Sequence, residues 1–229
     1  MHGHESTVYK LKKALYSLKQ APEAWYNRVD NHFLKLGFER CMNEHTFHKK
    51  ILEDGNTQLV CIYVDDIICM GSSQVLINEF ITDMKDTFEM SDLSLLKYFL
   101  GLEVQQGEEG IFISQKKYIQ DLLKLYNMQE CKIVVAPINS NERLQANDGS
   151  GETDDKRYRA LVGKLIYLTH THPDISFTVG VLLRFMSRPT KHHLGAGKRV
   201  FWYLAGKVQF GLWYSHTKEC KLEVYTDSD

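Results

Sequence analysis

The sequence lacks most of the features that mark a secreted, membrane-bound or strongly basic protein. Its five cysteines contain no C-x-x-C spacing, so neither a disulfide framework nor a structural zinc site is expected. No segment approaches the roughly 18 consecutive apolar residues of a membrane span, and the first residues show no signal-peptide pattern. The formal net charge is only −1, whereas an independent nucleic-acid-binding domain is usually basic. These absences predict an intracellular globular protein without a membrane span.

Apolar spacing predicts an α+β fold in which strands are followed by helices and then by strands again. Helical spacing marks the segments 21–37, 74–88, 115–126, 155–169, 174–185 and 192–206. Short apolar runs bounded by turn residues predict strands at 46–52, 58–63, 67–70, 98–104, 111–114, 210–214 and 222–226. The polar segment 136–154 is rich in glycine, asparagine and aspartate, which is typical of a linker.

Two adjacent carboxylates, Asp65 and Asp66, lie between the apolar runs LVCIYV and IICM. A buried carboxylate without a partner is costly, so the pair is expected at the tip of a hairpin rather than inside a strand. There both groups could bind Mg²⁺ through hard oxygen atoms. Two such metals clamp the attacking and leaving oxygens in nucleotidyl transfer. The alternative interpretation is a solvated turn, which the tetrapeptide alone favours because short motifs often match by accident.

Five motifs occur in order along the chain: LYSLKQAPEAWY, YVDD, KYFLGLEV, PDISFTVGVLLRFM and YTDSD. Together they resemble the reverse transcriptase of copia-type retrotransposon Pol polyproteins, over nearly the whole chain. The resemblance implies an RNA-directed DNA polymerase with a palm that carries a catalytic hairpin, and with a thumb. The divisions it implies are a partial palm and thumb at 1–130, a linker at 131–154, a helical connection at 155–208 and the first strands of an RNase H-like domain at 209–229.

The resemblance also assigns roles to particular residues. Asp65 and Asp66 would be the catalytic carboxylates and the ligands of Mg²⁺, with template, primer and dNTP as partners. The positions expected beside the nucleotide and template are Tyr16, Ser17, Lys19, Gln20 and Pro22. Those expected at the primer end are Tyr63 and the primer-grip residues Phe99, Leu100 and Gly101. Asp227 would be the first carboxylate of the RNase H domain.

Plainer interpretations of the same residues stay open. Tyr63 is equally compatible with a half-buried aromatic of a sheet. The segment around Gly101 is equally compatible with an ordinary hairpin. Pro22 and Trp25 would begin a helix and anchor it in the core whatever the activity.

Several family features are expected to be missing or changed. The family uses three catalytic aspartates, and the first would belong to a strand upstream of LYSLKQAPEAWY, together with the fingers. The isolated chain is therefore expected to be an inactive polymerase fragment, with no RNase H activity, and an upstream polyprotein segment is expected to be missing. Ser17 replaces a usual glycine, and Glu23 and His172 each replace a usual arginine.

A non-catalytic nucleic-acid-binding or interaction module, retained from a decayed element, is the main alternative. Such a module would contact duplex phosphates through cations that cluster in the second half of the chain, namely Arg184, Arg188, Lys191, Lys198 and Arg199. The near-neutral charge and the replacements at Glu23 and His172 count against it. A further alternative is a remnant that never forms a stable protein.

Overall fold

The computed structural model describes residue 15 and residues 18–139 and 141–216. Its contacts divide the chain into two compact units, Met1–Asp92 and Leu93–Asp229. Each unit combines helices with one antiparallel sheet of four strands, so the α+β prediction is confirmed at this level. The finer divisions into palm, thumb, connection and RNase H stay predictions. Tyr16, Ser17, Asp227 and the strand predicted at 222–226 lie outside the described residues.

Over its described residues, the first unit contains two helices and a meander of four strands in the spatial order β1-β2-β3-β4. Its elements in chain order are α1 (Ala21–Lys35), β1 (Glu39–Arg40), β2 (Phe47–Ile51), β3 (Thr57–Tyr63), β4 (Asp66–Gly71) and α2 (Gln74–Thr87). Except for the two-residue strand β1, all were predicted from apolar spacing, with bounds that differ by a few residues.

A core of aromatic and aliphatic side chains fixes helix α1 in the first unit. Val29 and Phe33, one helical turn apart, are fully buried. The Phe33 ring lies 5.6 Å from that of Phe38 and 5.6 Å from that of Phe80 on α2. Helix α1 ends before Gly37, whose φ of 84° is the left-handed conformation that commonly terminates helices.

In the part of the second unit that the structure describes, four helices and a short 3-10 turn accompany a second sheet with the strand order β5-β6-β7-β8. Its elements are β5 (Tyr98–Phe99), β6 (Leu102–Gly107), β7 (Gly110–Ser114), α3 (Lys116–Leu125), α4 (Asp155–Leu168), the 3-10 turn Pro173–Ile175, α5 (Ser176–Leu183), α6 (Lys191–Ala205) and β8 (Gly211–Ser215). The helices were predicted correctly, but the single strand expected at 98–104 is wrong because a tight turn divides it into β5 and β6.

One hydrophobic core holds the helices of the second unit together. It joins Ile119 and Leu122 of α3 to Leu165 of α4 and to Val200 and Phe201 of α6. Strand β8 pairs with β7 in the sheet of this unit, so residues 211–215 pack with the hairpin that precedes α3. None of the helices within the described residues is long and apolar enough to cross a membrane.

The segment predicted as a linker contains neither helix nor strand over its described residues, but it is bound to α6. Thr190 Oγ1 donates to the Asp148 carboxylate at 2.6 Å, and His192 Nε2 lies 3.0 Å from Glu142 Oε1. Thr190 also begins α6 with a capping box that it forms with His193. The hydrogen bonds to Asp148 from Ser150 and Thr190 hold the pKa of its carboxyl well below its ordinary value.

Candidate functional site

The two predicted carboxylates lie at the tip of the β3–β4 hairpin. Tyr63 and Asp66 are paired across the two strands, so Val64 and Asp65 form a two-residue turn. Both aspartates are exposed, and the Tyr63 side chain is 46% exposed. The strands leading to the tip are anchored in the core by alternate residues of β3, among them the buried Val60 and Ile62. The hairpin therefore presents two adjacent carboxylates to solvent, while their roles stay predictions.

The backbone of this turn has an unusual conformation at Val64. Its φ is 56°, a region that a β-branched residue rarely adopts. Among the two central residues only Val64 has a positive φ, which is the pattern of a type II′ turn. Glycine is the usual residue at that position, so valine holds the turn in a strained conformation that surrounding contacts must support.

Trp25 on helix α1 supplies such a contact. Its indole Nε1–H donates a hydrogen bond to the Val64 carbonyl at 2.7 Å. Its ring also packs edge-to-face against the ring of Phe88, with the two centroids 5.5 Å apart. Sequence patterns gave Trp25 only the role of a core anchor. Its position in LYSLKQAPEAWY could have indicated a contact with the turn, because the resemblance puts this motif beside the nucleotide and template.

The residues expected beside nucleotide and template surround the start of helix α1. Lys19 and Gln20 are exposed in the turn that precedes the helix, and Pro22 lies in its first turn. Proline is tolerated there because the first helical N–H groups have no partner within the helix. Glu23 is also exposed in the first turn, where a negative charge stabilises the positive end of the helix dipole. Its carboxylate therefore has a structural benefit independent of any nucleic acid.

The chemistry of the Asp65 and Asp66 donor set fits a partial magnesium site. Mg²⁺ is commonly held by one or two carboxylates and completed by water and substrate phosphates. Across residues 18–139 and 141–216, no group of three or more histidine, cysteine, aspartate or glutamate side chains is arranged to hold a metal. The turn therefore offers two ligands, and other oxygen atoms would have to complete the coordination.

A second tight turn, in the second unit, carries the residues predicted for the primer grip. Phe99 pairs with Leu102, so Leu100 and Gly101 form the two-residue turn between β5 and β6. Their φ values are 50° and 82°, both positive, as in a type I′ turn. Tyr167 on α4 donates its hydroxyl to the Leu100 carbonyl. The three predicted residues are thus adjacent at one hairpin tip, and their contact with a primer stays a prediction.

The cations proposed for the alternative binding module are in unlike environments. Arg184 and Lys191 are exposed, whereas Lys198 and Arg199 are partly buried. Arg188 lies 3.2 Å from the Glu152 carboxylate in an exposed ion pair. His172, one of the two replacements that count against such a module, is buried, with 2% exposure. Burial lowers the pKa of its imidazole and favours the neutral form.

Comparison with known sequences defines the class of protein to which these features belong. Residues 1–140 match the family described as reverse transcriptase (RNA-dependent DNA polymerase). The chain is therefore a member of the reverse transcriptase family. Its relatives include Pol polyproteins of transposons, which confirms the resemblance to copia-type elements.

Individual relatives differ greatly in length. The chain is 38% identical, over 97% of its residues, to the Retrovirus-related Pol polyprotein from transposon RE1 of Arabidopsis thaliana, but it spans only 15% of that protein. It is 35% identical to an uncharacterized mitochondrial protein of Arabidopsis thaliana over 73% of its own residues and 70% of that protein's. It is 30% identical to the putative transposon Ty5-1 protein of Saccharomyces cerevisiae, over 96% of this chain and 72% of the relative. No solved structure gives a significant match.

Proposed function

We propose that this chain provides the catalytic hairpin of an RNA-directed DNA polymerase, with Asp65 and Asp66 as ligands of the catalytic Mg²⁺. The observation that carries the proposal is the exposed tip of the β3–β4 hairpin, where both carboxylates are adjacent. Membership of the reverse transcriptase family supports it, because the matched residues 1–140 include this hairpin. The substrates would be a template of RNA or DNA, a primer and dNTPs.

The residues of the hairpin would act mainly by positioning and by neutralising charge. Mg²⁺, when bound, would lower the pKa of the primer hydroxyl and offset the charge that develops on the triphosphate. Asp65 and Asp66 would hold the metal, and the exposed Tyr63 would face the primer end. Phosphoryl transfer needs little covalent chemistry from the protein, so precise placement of the two carboxylates is their main contribution.

The other predicted site residues would contact the nucleotide, the template and the primer as parts of a palm and thumb. Lys19 would approach the triphosphate or the template from the turn before α1, where it is exposed. Gln20 and Pro22 would shape the same surface. The turn of Phe99, Leu100 and Gly101 would bring backbone close to the primer, because Gly101 has no side chain to keep a sugar-phosphate away.

The isolated chain is proposed to be catalytically incomplete. The family resemblance implies a third aspartate on an upstream strand, and loss of one charged group from a two-metal site commonly reduces rates by about 10³-fold or more. We expect no measurable extension of a DNA primer on an RNA template by the isolated chain in Mg²⁺. We expect extension when the chain is preceded by the corresponding upstream segment of the RE1 Pol polyprotein.

The control for this experiment is the Asp65→Asn, Asp66→Asn variant of the longer protein. Amide oxygens keep the shape of the turn but remove its charge, so extension should be lost while binding of primer–template is retained. Extension by the isolated chain, absent from its own Asp65→Asn, Asp66→Asn variant, would contradict the proposed incompleteness. Extension by the longer protein that survives both substitutions would contradict the proposed site.

A further inference from the structure

The hydrogen bond from Trp25 reaches the peptide whose orientation distinguishes the two common forms of a two-residue hairpin turn. The Val64 carbonyl belongs to the peptide plane that joins the two central residues of the turn. A flip of this plane converts a type II′ turn into type I′, which requires a positive φ at both central residues. A donor that holds the carbonyl at 2.7 Å therefore fixes the peptide plane and, with it, the backbone from which Asp65 projects.

The positive φ of Val64 is unfavourable for valine, so a contact from outside the turn must stabilise it. Valine at a φ of 56° has no local preference for this turn, unlike the glycine that usually occupies the position. The exposed fraction of Val64 is 54%, so burial of its own side chain does little to hold it there. Trp25 lies on helix α1 and its ring packs against that of Phe88, so the position of its N–H is set by contacts outside the turn.

We propose that Trp25 is a positioning residue for the metal-binding turn: its indole N–H holds the Val64–Asp65 peptide in the orientation that lets Asp65 and Asp66 bind one divalent cation. The inference rests on the proposed function of these carboxylates. It assigns to the tryptophan of the APEAWY segment a role in the geometry of the metal site in addition to packing.

The test uses Mn²⁺ and the isolated chain labelled with ¹⁵N. Mn²⁺ broadens the amide signals near its binding site, so a titration gives an apparent Kd from residues 63–67. Trp25→Phe keeps an aromatic ring against Phe88 and removes the N–H donor. Because one hydrogen bond contributes about fivefold to an equilibrium constant, we expect the Kd for Mn²⁺ to rise about fivefold. The matched control, Trp202→Phe, removes an indole of the second unit that is 36% exposed and should leave the Kd unchanged.

A second background separates positioning from a general loss of stability. Val64→Gly places at the first central position the residue that type II′ turns prefer, so the turn should keep its form without the indole donor. In that background Trp25→Phe should change the Kd by less than twofold, a coupling that a purely structural role of Trp25 would not produce. An equal increase in Kd in both backgrounds would overturn the proposal.

The unmodified chain offers an independent measurement. The indole N–H of Trp25 should exchange with solvent more slowly than that of Trp213, which is 54% exposed. Equal exchange rates would show that the hydrogen bond is absent and would overturn the proposal, even if Trp25→Phe failed to fold. The Asp65→Asn, Asp66→Asn variant distinguishes failure of the metal site from failure of the role of Trp25. If it abolishes Mn²⁺ broadening while Trp25→Phe has no effect, only the role of Trp25 fails. If it has no effect, the metal site itself fails, and this inference with it.

Discussion

Substitution of Gly101 by alanine tests whether the turn between β5 and β6 is fixed by Tyr167. The φ of Gly101 is 82°, and a Cβ added there would lie 2.5 Å from the Tyr167 hydroxyl oxygen. The new methyl group must therefore displace the hydroxyl that donates to the Leu100 carbonyl. Gly101→Ala is expected to add two costs, one from the backbone conformation and one from the lost hydrogen bond.

The two costs can be separated by a glycine elsewhere in the same unit. Gly149 has a φ of 74°, and a Cβ added there would meet nothing within 4 Å. Gly149→Ala should therefore cost only the left-handed backbone penalty, about 1–2 kcal/mol. Gly101→Ala should cost about 1 kcal/mol more, because it also removes a hydrogen bond. The free energy of unfolding should fall by about 2–3 kcal/mol in total for Gly101→Ala.

Urea unfolding followed by far-UV circular dichroism measures both variants, and a double-mutant cycle with Tyr167→Phe isolates the contact. Phenylalanine removes the hydroxyl that the added methyl group would meet, so Gly101→Ala should become about 1 kcal/mol less costly in that background. Equal costs for Gly101→Ala and Gly149→Ala, or no coupling to Tyr167, would refute the assignment of Tyr167 as the support of this turn.

Two further predictions concern the core of the second unit. Leu165→Ala should lower the free energy of unfolding, measured in urea, by about 2–5 kcal/mol, because Leu165 has 0% exposure. The control Leu125→Ala changes a side chain that is 62% exposed, so it should alter the free energy of unfolding by less than about 0.5 kcal/mol. Burial lowers the pKa of His172, so the unfolded chain binds a proton more readily than the folded chain. The free energy of unfolding should therefore be highest above the ordinary histidine pKa of about 6.5 and should fall as the pH drops below it. A urea midpoint that depends on pH equally in His172→Phe would contradict protonation of His172 as the cause.

The helices could be predicted because their evidence is local. Val29 and Phe33 in α1, or Leu161 and Leu165 in α4, recur at helical spacing and are fully buried in the structure. The residues of a strand do not indicate which other strand it pairs with. Apolar residues near Trp213 predicted a strand correctly, but its pairing with Phe112 of β7 joins residues about a hundred positions apart in sequence. Nothing in either segment alone indicates that contact.

The segment 136–154 shows the same limit of composition. Its polar residues correctly excluded helix and strand over the described part, because such residues favour turns. They did not reveal that Asp148 accepts a hydrogen bond from Thr190 or that Glu142 contacts His192. These partners lie more than 40 residues away along the chain, and polar composition carries no information about them.

The two candidate turns are the positions where local rules fail most clearly, and both failures have the same physical form. Val64 and Leu100 have φ values of 56° and 50°, which residue preference argues against in each case. In each case a helix supplies an aromatic donor to the carbonyl of the strained residue, Trp25 for one turn and Tyr167 for the other. Deviations from local preference that are supported by specific contacts are expected at functional sites, because precise backbone geometry there has a benefit that a relaxed turn would not give. On this argument Val64→Gly should raise the free energy of unfolding without changing the form of the turn, because glycine adopts a positive φ at no steric cost. A urea midpoint that does not rise in Val64→Gly would show that the turn is not strained at this residue.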